Sequence, residues 1–485
     1  MCANVASVKF PHRSASVITL AIAACVSLFS PTFGTAQSVL EMTGVTALRL
    51  RDPSLIGAGV SVAQVEAGNP FFEVNPLAVG QSVTLFTWIS ASGTASAFPN
   101  SVGNESGHAN AVGDRFFGLN NGVAPGVQHV DNYEAGYFYD QVISTRTAMS
   151  ARVVNQSFIF AGATGGPAQM RIDATYDRYA TQHNTIFVSG VGNSGSPNPP
   201  STAYNGIAVA AFGGGSSVGP TVDNGRSKPD ITAPADATSF STPLVAGAAA
   251  ILVQAANRGD GGAGTAANAT DARVVKTLLL NGAKKPTDWF HSASSPLDPR
   301  YGAGILDVNT AHLQLTGGQH GFSVSSTSAG STPAGNDITS RRGWDFVTIS
   351  TNPIQTRTNH YYFTISGDQP MTLTSTLTWF GQANSAGTQT TLNNLDLVLL
   401  QLGSNTQRGS SNSLVDNVEH LHVQGLAAGR YDLQVIKRGS LTQVSSDEQY
   451  ALAFDFSPVP EPSTVILIGL GAAWGLSVYR RPRSL

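Results

Sequence analysis

At 485 residues the chain is longer than one hydrophobic core usually supports, so two or more domains are expected, with sorting segments at the ends. Lys and Arg number 27 against 30 Asp and Glu, the net charge is −3, and charged residues make up only 12%. That balance excludes both the basic footprint of a nucleic-acid partner and an acidic tail.

In chain order, Lys9, His12 and Arg13 precede the apolar stretch SVITLAIAACVSLF, and GTAQS offers a small-x-small cleavage site after Ala36. This is the pattern of a secretory signal peptide over 1–36, the apolar stretch being short for a membrane span. IAAC at 22–25 is a rival reading as a lipoprotein-type site at Cys25, although apolar VSLF follows where a polar tether is expected. Cys2 and Cys25 are the only cysteines, so cleavage after Ala36 leaves a mature chain without disulfides, thiolate metal sites or a cysteine nucleophile.

Residues 37–315 alternate strand-like runs (VSVAQV, VQHV, RVVNQSF, TIFVSG, IAVAAF) with helical segments such as RIDATYDRYATQ and ARVVKTLLLNGA. Continuous apolar strands with helices between them predict an α/β fold with a parallel sheet covered on both faces. The first strand, in GVSVAQVEAG, stops on one carboxylate, Glu66. Further on, ATSFSTPLVAGAAAILVQ sets Ser239 just before Pro243 and a helix that is apolar on every side. Such a helix must be buried, and the free N–H groups at its start can hold developing negative charge. GSSVG at 215–219 fits the G-x-S-x-G nucleophile elbow in letters only, because Pro220 and a loop follow where that motif needs a helix.

GGQHGFSVSSTSAGSTPAGND lies in an expected linker over 316–339. From 340 to 457 short alternating strands (WDFVTIS, YYFTIS, MTLTSTLTW, LDLVLLQL, HLHVQGL, YDLQVIK, YALAFDF) predict an antiparallel β-sandwich. Residues 458–485 hold VPEPSTVILIGLGAAWGLSVYRRPRSL, a Pro-Glu-Pro turn, an apolar run and three arginines. A short run closed by basic residues suits a transient membrane stop with its arginines on the cytoplasmic side.

Two resemblances follow from these residues. ATSFSTPLVAG is similar to the nucleophile motif of the subtilisin-like serine proteases, with Ala237 where that family usually has glycine and Leu244 where it often has histidine. SGHANAVGD, GVAPGVQ, VVNQS, VSGVGNSG, YNGIAVAAF, KPDITAP and YGAGILDVNTA match the family's other landmarks in order. The resemblance implies a protein or peptide substrate, Ser239 as nucleophile, His108 as general base and Asn193 as an oxyanion donor. Glu66 then stands in the place of the triad aspartate, with Asp114 or Asp131 as alternatives and a strand-end carboxylate in a degraded site as another. It also implies a pocket for the residue before the scissile bond, lined by Ser157, Phe158 and the backbone of Ser189, Gly190, Val191 and Gly192. No cofactor is implied. Calcium is a common structural ion in such proteins, but no loop here has clear ligand spacing.

The stretch between Ala36 and the catalytic region is short for the folding propeptide that many members carry. The sandwich resembles the jelly-roll domains that follow some bacterial subtilase domains. The C-terminal segment resembles a PEP-CTERM sorting tail, which implies an exosortase-type processing enzyme and an envelope or extracellular destination in a diderm bacterium; an ordinary anchor helix is the alternative. The whole reads as an exported endopeptidase. The rival is a subtilase-fold surface or matrix binding protein inactivated by the changes at Glu66, Ala237 and Leu244.

Overall fold

The computed structural model describes residues 37–459 apart from 329, 353, 441 and 442; the expected signal peptide and sorting tail lie outside the described residues. The described residues from 39 to 459 form one compact unit. Its first layer is an eight-stranded sheet made of β1 (Ser61–Glu66), β3 (Phe86–Ser90), β4 (Gly93–Ala95), β6 (His129–Glu134), β7 (Val153–Gln156), β8 (Ile186–Gly190), β9 (Ile207–Phe212) and β10 (Ile231–Pro234). The order is β10-β9-β8-β7-β1-β6-β3-β4, parallel throughout except for the β3–β4 hairpin. Two short strands, β2 (Phe71–Glu73) and β5 (Asn104–Glu105), pair beside it. Nearly every residue of β1, β6, β7, β8 and β9 is buried, as a sheet covered on both faces requires.

The chain leaves β1 toward β3, returns to place β6 against β1, then crosses to β7 on β1's other side. Strand order therefore reverses at β1, and the crevice at the carboxyl ends of β1, β7 and β8 is where an open α/β sheet gathers its ligands. The Thr238–Arg258 helix runs under that crevice with 16 of its residues buried, among them Leu244. Pro243 sits early in the helix, at its sixth residue. The helix meets the Gly122–Ala124 segment so closely that a Cβ on Gly247 would lie 2.5 Å from Val123 Cβ, so this crossing requires glycine.

The later strands are β11 (Val324–Ser326), β12 (Arg342–Ser350), β13 (Arg357–Ile365), β14 (Met371–Trp379), β15 (Gln382–Ala383), β16 (Thr390–Thr391), β17 (Leu395–Gln401), β18 (Thr406–Ser411), β19 (Val418–Leu426), β20 (Gly429–Lys437) and β21 (Asp447–Pro458). Nine of them form two antiparallel sheets, β11-β13-β20-β17-β18 and β12-β21-β14-β19, enclosing a core that includes Tyr361, Leu397, Leu433 and Phe454, while β15 and β16 pair with each other. All seven strands expected from the sequence are present. The 316–339 stretch is not a free tether: His320 N–H donates to Trp344 O and Val324–Ser326 pairs with β13.

The sandwich also shares its core with the first layer. Trp344, Phe346, Phe380, Val418, Ala451 and Ala453 belong to the same apolar cluster as the Thr238–Arg258 helix. The Ala272–Gly282 helix forms the seam, with Thr277 Oγ1 2.6 Å from Thr378 Oγ1 and the Arg273 guanidinium over both Phe346 and Phe380. Trp344 is fully buried and its Nε1–H donates to Leu315 O at 3.1 Å, so one residue ties β12 to the first layer. Trp344→Ala is expected to remove about 3–5 kcal/mol of stability, read as a lower urea midpoint in which both layers unfold together.

Candidate active site

Glu66 is the last residue of β1 and is 1% exposed. Its Oε2 accepts a 2.7 Å hydrogen bond from His108 Nδ1, and its Oε1 accepts one of 2.8 Å from Gln64 Nε2. Gln64 lies two residues earlier and so on the same face of the strand, and it also donates to Ala109 O at 2.9 Å. His108 stands in the first turn of the Gly107–Phe116 helix, which Ser106 caps by accepting from Ala109 N–H. Its ring is 41% exposed and lies against Phe240, centroid to centroid 5.8 Å. A carboxylate can only accept, so the Glu66 bond fixes the proton on Nδ1 and leaves Nε2 as the acceptor at the cleft.

Burial pushes the Glu66 carboxyl above the ordinary glutamate value, and the His108 bond opposes the rise. The bond to Glu66 raises His108 above the ordinary imidazole value, with burial opposing. Each group therefore supports the charged form of the other, the condition in which an imidazolium forms readily beside a buried acid. Asp114 accepts from Asn121 Nδ2, and Asp131 pairs with His129 and Ser150, so neither alternative acid bonds to His108.

On the far wall, Ser239 is the second residue of its helix. Its hydroxyl donates to Ser157 O at 3.4 Å, while Ser157 Oγ donates to Ser239 O at 2.9 Å. Ala237 occupies the N-cap position and has no side chain with which to cap. Asn193 supplies the cap from another loop: its Oδ1 accepts from Thr238 N–H and from Thr238 Oγ1, both at 2.9 Å. With the amide oxygen held there, both amide donors sit on the remaining nitrogen, Nδ2, of a residue that lines the cleft. The preceding Gly192 has φ +103°, and a Cβ there would lie 2.8 Å from Ser217 Oγ. Ser217, the serine of GSSVG, is fully buried, accepts no role at the cleft surface, and braces this loop through bonds to Gly192 O and Ser194 O.

Glu66, His108, Ser157, Phe158, Gly190, Gly192, Asn193 and Ser239 are thus brought together around one cleft of ≈ 380 Å³. Ser189 and Val191, whose backbone was expected in its wall, are not among its lining residues: Ser189 Oγ donates to Gln156 Oε1, while Val191 packs on Ala208 and Ala210 and its N–H donates to Val209 O. Ala67, Ile159 and Thr238 also line the cleft and were not singled out from sequence, nor was Gln64. The i, i+2 spacing from Glu66 was the available signal for Gln64. Among the described residues no group of three or more His, Cys, Asp or Glu side chains is placed to hold a metal ion.

Residues 92–304 match the Subtilase family of peptidases, a span that includes His108, Asn193 and Ser239 but begins after Glu66. Residues 458–483 match the PEP-CTERM protein-sorting motif. No curated protein matches. Among solved structures, the prenylagaramide maturation protease PagA is similar at 18% identity and a TM-score of 0.41, covering 56% of this chain and 99% of that one. A lanthipeptide protease is similar at 17% identity and a TM-score of 0.43, covering 57% and 93%. Tripeptidyl peptidase 2 is similar at 14% and 0.34, covering 74% and 41%. Over residues 92–304 the chain matches the subtilase family of peptidases, and a β-sandwich and a match to the PEP-CTERM sorting motif follow.

Proposed function

We propose that the protein is an exported serine endopeptidase working by acyl transfer through Glu66, His108 and Ser239. The observation that carries this reading is the 2.7 Å Glu66–His108 bond, which holds an imidazole in the base-competent tautomer on the same cleft as Ser239. In the proposed first step Ser239 exchanges its long bond to Ser157 O for one to His108 Nε2. His108 then takes the hydroxyl proton as Oγ attacks the peptide carbonyl, and returns it to the leaving amine. Asn193 Nδ2 and the Ser239 N–H, in the first turn of a buried helix, would receive the oxyanion. Water, activated by the same imidazole, then cleaves the acyl-enzyme and restores Ser239.

Phe158 and Ile159 on one side, with the glycine backbone at 190 and 192 opposite, form the proposed seat for the side chain before the scissile bond. The sorting motif supports processing by an exosortase-type enzyme and an envelope or extracellular destination. Incubating the mature chain with an unfolded polypeptide such as alkylated casein is expected to give internal fragments by mass spectrometry. Intact substrate beside folded protein would overturn the proposal.

A further inference from the structure

A second, surface-open pocket of ≈ 170 Å³ has a lining that includes Arg146, Arg171 and Arg178 together with Ser144 and Thr175, and no acidic residue; Ser144, Arg146 and Arg171 are exposed and Thr175 and Arg178 half-buried. Arg171, Thr175 and Arg178 share one face of the Gly166–His183 helix by their spacing of four and three. Arg178 is fixed by donating from Nη1 to Ser385 O at 2.8 Å. Arg146 comes from the turn after the Phe138–Ile143 segment and has φ +61°. The other non-glycine residues described in that region of backbone space are both asparagine, which tolerates it, whereas arginine does not favour it. The turn is held by Arg146 N–H donating to Ile143 O and by His183 Nε2 at 3.2 Å from Arg146 O.

Among the described residues, arginine ion pairs are made elsewhere, as by Arg226 with Asp173 and Arg430 with Asp337, and none involves these three. Asp140, the acidic residue of the neighbouring segment, is exposed and does not line the cavity. Three cations are therefore gathered around one cavity with no counter-charge, in a chain whose net charge is −3. Repulsion among them favours an occupant carrying more than one negative charge, and the guanidinium fork matches the oxygens of a tetrahedral oxyanion. Ser144 and Thr175 add hydroxyl donors.

We propose that the Arg146–Arg171–Arg178 cavity is a binding site for a phosphate- or sulfate-type oxyanion, either free or as an ester on a polymer. The site is independent of the peptidase reading. It is tested on the folded mature chain by titration calorimetry with sodium phosphate and sodium sulfate against chloride at matched ionic strength, and in parallel with dextran sulfate against plain dextran.

Saturable binding of the free anions, weakened at least about tenfold in Arg171→Gln and in Arg146→Gln and weakened less in Arg171→Lys, which keeps the charge but loses the fork, supports the site with a free occupant. Binding of dextran sulfate alone, with the same response to the variants, supports it with the ester as occupant. Heat indistinguishable from chloride in both arms, or binding that the glutamine variants leave unchanged, overturns it. The titrations on the parent chain stand even where a variant fails to fold.

Discussion

Ser239→Ala is expected to abolish peptide hydrolysis, a loss on the order of 10⁶-fold in kcat, with the fold intact. The hydroxyl makes one long bond, 3.4 Å to Ser157 O, and Ser157's own donation to Ser239 O involves main chain that alanine retains. Stability should therefore change by no more than about 0.5–1 kcal/mol. Parallel measurement of fragment release and thermal unfolding separates the two effects. Turnover at the parental rate would remove Ser239 from the reaction.

Glu66→Gln is expected to lower kcat/KM by roughly 10³ to 10⁴-fold, and Gln64 shows why so nearly isosteric a change should cost so much. In the parent, Gln64 Nε2 donates to one carboxylate oxygen while His108 Nδ1 donates to the other. A glutamine at position 66 has only one oxygen, and the Gln64 donor claims it. The amide NH₂ then faces His108 and requires Nδ1 as acceptor, which moves the ring proton to Nε2 and leaves nothing to accept from Ser239. Glu66→Asp keeps two acceptors at shorter reach, so activity should fall in the order Glu, Asp, Gln.

The pH profile carries the same signature. Neutral His108 is the working base, and the Glu66 bond raises its pKa above the ordinary value, so parental activity should be lost as pH falls through that raised value. In Glu66→Gln the residual activity should keep its acid limb to a lower pH, because the charge that favoured imidazolium is gone. An unshifted limb would mean that Glu66 does not act through His108.

Much of this architecture is local in the chain and could be read there. The strands β1, β7, β8 and β9 fall in short apolar runs, whereas β3 (FTWIS) was not expected and β6 (HVDNYE) was marked only by its first residues; the Ala246–Ile251 stretch of the central helix is apolar on every side, and the motifs around His108, Asn193 and Ser239 are contiguous. What sequence did not reveal depends on which distant elements become neighbours. Period-two alternation puts Gln64 on the face of Glu66, but only the β1–β6 and β1–β7 pairings and the docking of the Gly107–Phe116 helix make it a ligand of that carboxylate.

The helix cap was hidden for the same reason. Ala237 cannot cap, and its replacement, Asn193, lies 45 positions from Thr238. The sandwich strands were legible as strands, yet nothing in Trp344 or Phe346 marks them as part of the first layer's core rather than their own. Strands β15, β16 and β18 were missed because two are two residues long and TQRGSS has no apolar alternation.

The most direct test of a Glu66–His108–Ser239 centre is labelling of the folded mature chain with a fluorophosphonate, followed by peptide mapping. A single adduct on Ser239, absent after Ser239→Ala and formed far more slowly after Glu66→Gln, is the expected result. No adduct on folded protein, or an adduct on another serine with Ser239 unmodified, would contradict it.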